Sequence, residues 1–153
     1  MGAPTLGFLL HDVARLLRKR FEQRAKCLGL TRAQWQTLAY LLNNDGIHQA
    51  ALADMLEIEP ISLTRILDKL VARRLVERRQ HPTDRRISLL YMREEALPLI
   101  AEMRVLGDET RAEALQGVSA AEREQLFATL SLMKTNLVQA CRNPATETES
   151  SNV

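Results

Sequence analysis

Residues 60–92 read PISLTRILDKLVARRLVERRQHPTDRRISLLYM, and a change of period half-way along them decides the fold. From Pro60 to Arg73 the apolar residues Leu63, Ile66, Leu67 and Leu70 recur at steps of three and four, which is helical spacing. Pro60 suits the first helical position, where its missing N–H costs nothing, although Glu59 is a mediocre cap before it. After Arg73 the period shortens. Leu75 to Gln80 and Ile87 to Met92 read as two strands joined by His81-Pro82-Thr83-Asp84-Arg85-Arg86, and Pro82 cannot belong to a central strand. A helix followed at once by a hairpin is the first firm element of the architecture.

Upstream, QAALADML (Gln49 to Leu56) reads as a two-turn helix, preceded by the turn Asn43-Asn44-Asp45-Gly46. Thr31 caps a helix running to Leu42, with Trp35, Leu38, Ala39 and Leu42 on its inner face. From Thr5 to Lys26, residues Leu6, Leu9, Leu10, Val13, Leu16, Leu17 and Phe21 recur at helical spacing, and Gly29 lies just past the end. Downstream, Glu94 to Leu115 reads as a long helix whose first turns Pro98 bends. Gly117 separates it from a helix over Ala120–Arg142, capped by Ser119, with Leu126, Phe127, Leu130, Met133, Leu137 and Cys141 in register. Residues 143–153 lack apolar content and are expected to be disordered. The fold class is mainly α with a small β-hairpin wing. A winged helix-turn-helix over residues 31–92 is flanked by a helical dimerisation region over 5–26 and 94–142. Broad apolar stripes on the terminal helices, widened by Phe8 and Leu132, exceed what one small core absorbs and ask for a partner.

The composition fits this reading. Of 153 residues, 46% are hydrophobic and 26% charged, enough for one core with an ordinary polar surface. No apolar run approaches the roughly 20 residues a bilayer requires. The basic cluster Arg18-Lys19-Arg20 follows the N-terminal apolar stretch, the reverse of a secretory signal. Cys27 and Cys141 are far apart in helical patterns and suggest reduced thiols, so a cytoplasmic location is expected. The net charge of +2 hides a polarity: residues 65–86 carry eight Lys or Arg against three acids, a local +5. Residues 87–153 sum to −4. A field that concentrated attracts a polyanion.

On the Pro60–Arg73 helix, Ile61, Ser62, Arg65, Asp68, Lys69 and Ala72 fall opposite the leucines. Arg65 is suited to a bidentate contact with guanine, Ser62 and Thr64 to hydrogen bonds with bases or phosphates, and Ile61 to a thymine methyl. Pro60 opens a helix whose free N–H groups face outward, and Lys69 extends the cationic side. Taken alone, a plain surface helix with a stray Ile61 is an equal alternative. The hairpin shifts the balance, because an arginine-tipped arm beside such a helix reaches the neighbouring minor groove. In that reading Arg85 or Arg86 inserts, Arg78 and Arg79 meet phosphates, and Asp84 orients a tip arginine. The alternative for the hairpin is that its charges only block edge-to-edge pairing.

Residues LTRILDKLVARRLVERR (63–79) and TDRRISLLYM (83–92) resemble the multiple-antibiotic-resistance-regulator (MarR) family of bacterial transcription factors, over about residues 5–142. Asp84 and Arg86 match the family's Asp-x-Arg pair at the wing tip. The resemblance implies a homodimer that binds pseudo-palindromic double-stranded DNA, often as a repressor, with first and last helices forming the dimer interface. It also implies a small aromatic or phenolic effector that weakens DNA binding. Two departures stand out: Arg74 occupies a position where glycine often precedes the strand, and Glu94-Glu95-Ala96 replaces a glycine-containing start.

An effector pocket would lie between the dimer helices and the winged domain. His11 and Arg15, four residues apart on one helical face, and Trp35 are its candidate lining. The alternative makes Trp35 core and His11 half-exposed. No nucleotide-binding glycine loop, HExxH or GxSxG is present, and the histidines and cysteines lack metal-ligand spacing, so neither enzyme, metal nor cofactor is expected. Cys27, beside Lys26, is a candidate redox sensor, though family peroxide sensors usually place that cysteine earlier in the first helix. The reading is a sequence-specific DNA-binding regulator acting as a repressor. Its rivals are a helical protein–protein adaptor and a redox-sensing regulator acting through Cys27.

Overall fold

The structure, a computed structural model, describes residues 2–143; the expected disordered tail beyond Asn143 lies outside the described residues. The elements run α1 (Leu6–Ala25), a 3-10 turn (Lys26–Leu28), α2 (Arg32–Leu42), β1 (Ile47–His48), α3 (Gln49–Leu56), α4 (Pro60–Ala72), β2 (Val76–Gln80), β3 (Ser88–Met92), a 3-10 turn (Glu94–Ala96), α5 (Leu97–Ala114) and α6 (Ala120–Arg142). The chain divides into two compact units, Met1–Ala112 and Glu113–Val153. No helix of the described residues is long and apolar enough to cross a membrane.

In the first unit the core is a leucine cluster. Leu38, Leu41, Leu52, Leu63, Leu67, Leu70 and Leu90 are fully buried, closed by Val76, Ala96 and Ile100. The helix-turn-helix thus packs α2, α3 and α4 against the back of the sheet. Buried Leu41 and Thr37 turn α2 slightly from the expected face, leaving Ala39 and Leu42 only partly covered. Thr31 forms the expected cap as a full capping box: its hydroxyl accepts from Gln34 N–H while the Gln34 side chain accepts from Thr31 N–H. Glu59 makes no side-chain cap to α4, as expected of a mediocre one.

Three features depart from the sequence reading. First, the wing is part of a three-stranded antiparallel sheet, order β1-β3-β2, because Ile47 and His48 pair with Leu90 and Leu89. The turn before β1 permits this. Gly46 adopts φ +81°, donates its N–H to Leu90 C=O at 2.7 Å, and a Cβ there would meet the Tyr91 hydroxyl at 3.3 Å. Asp45 extends the bracket by accepting from Met92 N–H at 2.9 Å. Second, Pro98 does not bend a long helix. It is the second residue of α5, where its absent N–H would have had no helical partner, and Glu94–Ala96 form a separate 3-10 turn. Third, Arg74 adopts φ +60°, so the residue found where glycine was expected keeps a glycine-like backbone.

In the second unit, Ser119 caps α6 with a capping box to Glu122. Backbone donation to the Ser119–Glu122 pair holds the Glu122 carboxyl below its usual range. None of the described residues of α6 is buried.

Candidate nucleic-acid interface

Helix α4 buries Leu63, Leu67 and Leu70, and the same geometry forces Ile61, Ser62, Arg65 and Lys69 outward, where all four are exposed. Ile61 keeps 64% of its surface exposed at the N-terminal turn of the helix. Arg65 and Lys69 have no ion-pair partner among the described residues. Thr64 behaves differently from expectation. Its hydroxyl accepts from Gln49 Nε2 at 2.9 Å and donates to Pro60 C=O at 3.1 Å, so it fastens α3 to α4.

The four hairpin arginines split into two pairs. On β2, alternate residues face opposite sides, and Val76 points into the core. Arg78 shares that side and reaches α4, pairing with Asp68 Oδ1 at 2.7 Å and donating to Thr64 C=O at 3.2 Å. Arg79, on the other side, pairs with Glu77 and stacks 4.0 Å over the Tyr91 ring. Both are thereby committed to intramolecular partners. Arg85 and Arg86 stand at the tip, exposed. Asp84 is bonded to one of these tip arginines. Its carboxylate accepts from Arg86 N–H at 3.0 Å and from the guanidinium Nε at 3.2 Å. These bonds hold the Asp84 carboxyl below its usual range. Arg86 also borders a cleft of about 290 Å³ lined by His48, Gln49, Ala50, Pro60, Ile87 and Ser88, which puts the tip and the starts of α3 and α4 around one concavity.

At its base the wing is held to the start of α5 by charge. Arg93 pairs with Glu77 at 3.6 Å and with Glu95 at 3.0 Å, and Arg74 reaches Glu95 at 3.4 Å. Glu95 is pushed down to about 2 by the Arg93 guanidinium. The register of α4, wing and α5 is therefore fixed from both ends of the hairpin.

Against known proteins, residues 28–87 match the model of the MarR family. Wild-type MarR from E. coli in its apo form is 25% identical with a TM-score of 0.75, over 87% of this chain and 98% of that one. A MarR family transcriptional regulator from Silicibacter pomeroyi is 26% identical with a TM-score of 0.73, over 85% and 88%. A mutant E. coli MarR complexed with operator DNA is 26% identical with a TM-score of 0.67, over 84% and 92%. Residues 28–87 are thus similar to the MarR family, and the fold is that of its solved members. Within that family frame, the matched segment covers α2, α3, α4, β2 and the wing tip just described.

The expected effector lining does not come together. His11 and Arg15 are exposed on α1, with Arg15 paired to Asp12 at 3.5 Å. Trp35 is buried and packs on Phe21 with ring centroids 4.5 Å apart. It lines a different cleft of about 270 Å³ with Phe21, Ala39, Leu42, Asn43, Ile100, Met103, Arg104, Gly107 and Arg111. Trp35 Nε1 is a buried donor without a partner among the described residues. Arg104 has no ion-pair partner among them, while Arg111 pairs with Asp108. The sequence signal that could have found this lining is the one cationic step of seven, Arg104 to Arg111, on a helix whose Ile100 and Met103 are core.

The cysteines carry little. Cys27 is exposed and its thiol donates to Arg24 C=O at 3.6 Å; Cys141 is exposed on α6. No group of three or more potential metal ligands occurs among the described residues.

Proposed function

We propose that this protein is a DNA-binding transcriptional regulator that grips a pseudo-palindromic duplex as a homodimer and acts as a repressor. The observation that carries the reading is the joint presentation of two cationic elements. The outer face of α4 offers Ile61, Ser62, Arg65 and Lys69, and the tip offers Arg85 and Arg86, while Arg78 bridges to Asp68 and fixes their separation. That pairing supports a recognition helix in the major groove with an arginine tip in the adjacent minor groove. The solved relative complexed with operator DNA supports the same use of the fold.

The homodimer is supported by apolar surface that stays exposed among the described residues. Phe8 is 70% and Leu132 62% exposed, with Leu6, Leu9, Val13 and Leu16 exposed on α1 and Phe127 and Leu137 on α6. Two copies related by a two-fold axis would set their α4 helices one turn of DNA apart. The effector reading moves to the Trp35 cleft. An aromatic floor, an unpartnered indole N–H and the Arg104 guanidinium suit a small aromatic anion. The winged-helix regulator fold is not an enzyme class, which supports a binding role.

Salt titration tests the reading. Binding to duplexes selected from a random pool should weaken steeply with salt, and Arg85→Ala should lower the slope of log K against log salt by about 0.9. A slope near zero would reject DNA in favour of a protein partner.

A further inference from the structure

His81 opens the wing tip, and nothing in the charge pattern explains it. Its Nδ1 lies 3.2 Å from Thr83 N and 3.3 Å from Asp84 N, with the Thr83 hydroxyl also at 3.2 Å. Two backbone N–H donors can share Nδ1 only when that nitrogen bears no proton, so the ring hydrogen sits on Nε2. The imidazole thus does what an Asn or Asp oxygen does in a side-chain-capped turn. The turn is closed further by His81 N–H to Ile87 C=O at 3.0 Å and Ile87 N–H to Asp84 C=O at 3.1 Å.

The next link leads to the DNA-facing arginine. The Asp84 backbone that His81 caps carries the carboxylate that grips Arg86 through its N–H, Nε and Nη2. From the other side the His81 ring meets His48 edge-on, with centroids 5.8 Å apart, and His48 directly precedes α3. One imidazole therefore touches the helix-turn-helix, shapes the turn and, through Asp84, sets where Arg86 points. The titratable and charged groups that face it are His48 from the β1–α3 corner, Asp84 within the tip and, beyond Asp84, Arg86.

We propose that His81 is the positioning residue of the wing arginine, and that protonation of its Nδ1 releases the wing tip and weakens DNA binding. This rests on the DNA-binding reading above. The sign is the informative part. A protonated ring adds positive charge beside DNA, which by itself would strengthen binding as pH falls. Loss of the acceptor that the two backbone donors share works against it, because Thr83 N–H and Asp84 N–H are left without their side-chain partner.

The experiment compares the full chain with His81→Asn, His81→Gln and His81→Ala on a duplex that the full chain itself selects from a random pool. Asn places an acceptor oxygen where Nδ1 stood and cannot be protonated; Gln reaches past that point. Between pH 8 and pH 5.5 the native chain should lose about fivefold in affinity, the net worth of one hydrogen bond. His81→Asn should match the native affinity at pH 8 and stay level on acidification, whereas His81→Gln and His81→Ala should be about fivefold weaker at pH 8. In parallel, nitrogen NMR of the DNA-free chain should show a proton on Nε2 at pH 8, and the protection of the Thr83 and Asp84 amides, exchange corrected for its intrinsic pH dependence, should fall as the ring is protonated. Binding that strengthens on acidification, a pH dependence retained by His81→Asn, or native affinity in His81→Ala would overturn the proposal. If the native chain selects no duplex, the DNA reading fails by itself; the exchange data then decide the wing-tip part, and amides indifferent to ring protonation would reject it.

Discussion

Helices α4 and α6 are both amphipathic, yet α4 buries Leu63, Leu67 and Leu70 whereas α6, ten residues longer, buries none of its described residues. The apolar residues of α6 are no weaker: Leu126, Phe127, Leu132, Leu137 and Val138 are all exposed. The same contrast runs through α1, whose one buried residue is Ala25 at its C-terminal end. The core leucines of the block from Leu28 to Met92 are buried against one another and against Ala96 and Ile100. The apolar residues in the N-terminal part of α1 and along α6 mostly stay exposed, and it is this difference on which the proposed dimer rests.

The sharpest break of that comparison is a matched pair of substitutions. Leu67→Ala empties a fully buried site and should cost about 2–5 kcal/mol of folding stability, read by denaturant melting, without altering the assembly state. Leu132→Glu should do the opposite. It places a charge in the proposed dimer interface, at a cost of about 3–5 kcal/mol of association, and light scattering should report monomers. DNA affinity should fall with it, since a monomer engages one half-site. If Leu132→Glu remains dimeric, the stripe on α6 is not where the copies meet.

A step down in size is Arg65→Ala. Arg65 is on the exposed side of the self-sufficient block and supports no core packing. Melting should be unchanged, while affinity for the preferred duplex should drop by about 1–3 kcal/mol with relaxed discrimination at one base pair. An equal loss on every sequence would assign Arg65 to phosphate only.

Much of this division was legible beforehand, and what was not has identifiable causes. Period and capping chemistry carried α3, α4 and α6 to within a residue, because Pro60, Ser119 and the leucine spacing are local signals. Strand β1 escaped because two residues have no period; only Gly46 and Asp45, reaching Leu90 and Met92, create it. The hairpin arginines were read as one cationic group. Strand alternation separates Arg78 from Arg79, and that depends on which side of β2 meets α4. The effector lining failed for a similar reason. His11 and Arg15 share a face of α1, but Trp35 shares its cleft with α5, an element far along the chain from α2. His81 was legible only as a loop residue, since nothing in a sequence states which ring nitrogen meets which amide.

Arg74 gives a smaller test, of local backbone and not of packing. At φ +60° it sits where an L-residue is disfavoured by about 1–2 kcal/mol. Its pair with Glu95 is exposed and contributes little. Arg74→Gly should therefore raise the melting stability of the block by about 1 kcal/mol. A loss would mean that the Arg74 side chain holds the wing base more firmly than an exposed ion pair normally does.

The smallest effect separates the two regions by acid. Each has one carboxylate with a depressed pKa: Glu95 at the wing base, pushed to about 2 by Arg93, and Glu122 at the start of α6, lowered by the Ser119 backbone. A carboxylate depressed in the folded state stabilises fully above its unfolded value, and that contribution disappears as pH falls toward the folded value. For Glu95 the window runs from about pH 4.5 down to about 2. Glu95→Gln removes the charge that Arg93 and Arg74 share, so its stability at neutral pH should be slightly lower and its decline through that window shallower. Glu122→Gln keeps the acceptor of the capping box without a titrating group. It should lower neutral stability slightly and flatten the acid fraying of α6, followed by amide exchange at position 122 and the residues after it. Equal flattening of both regions by either substitution would show that the block and α6 unfold as one unit, and the distinction drawn from their burial would then not extend to their stability.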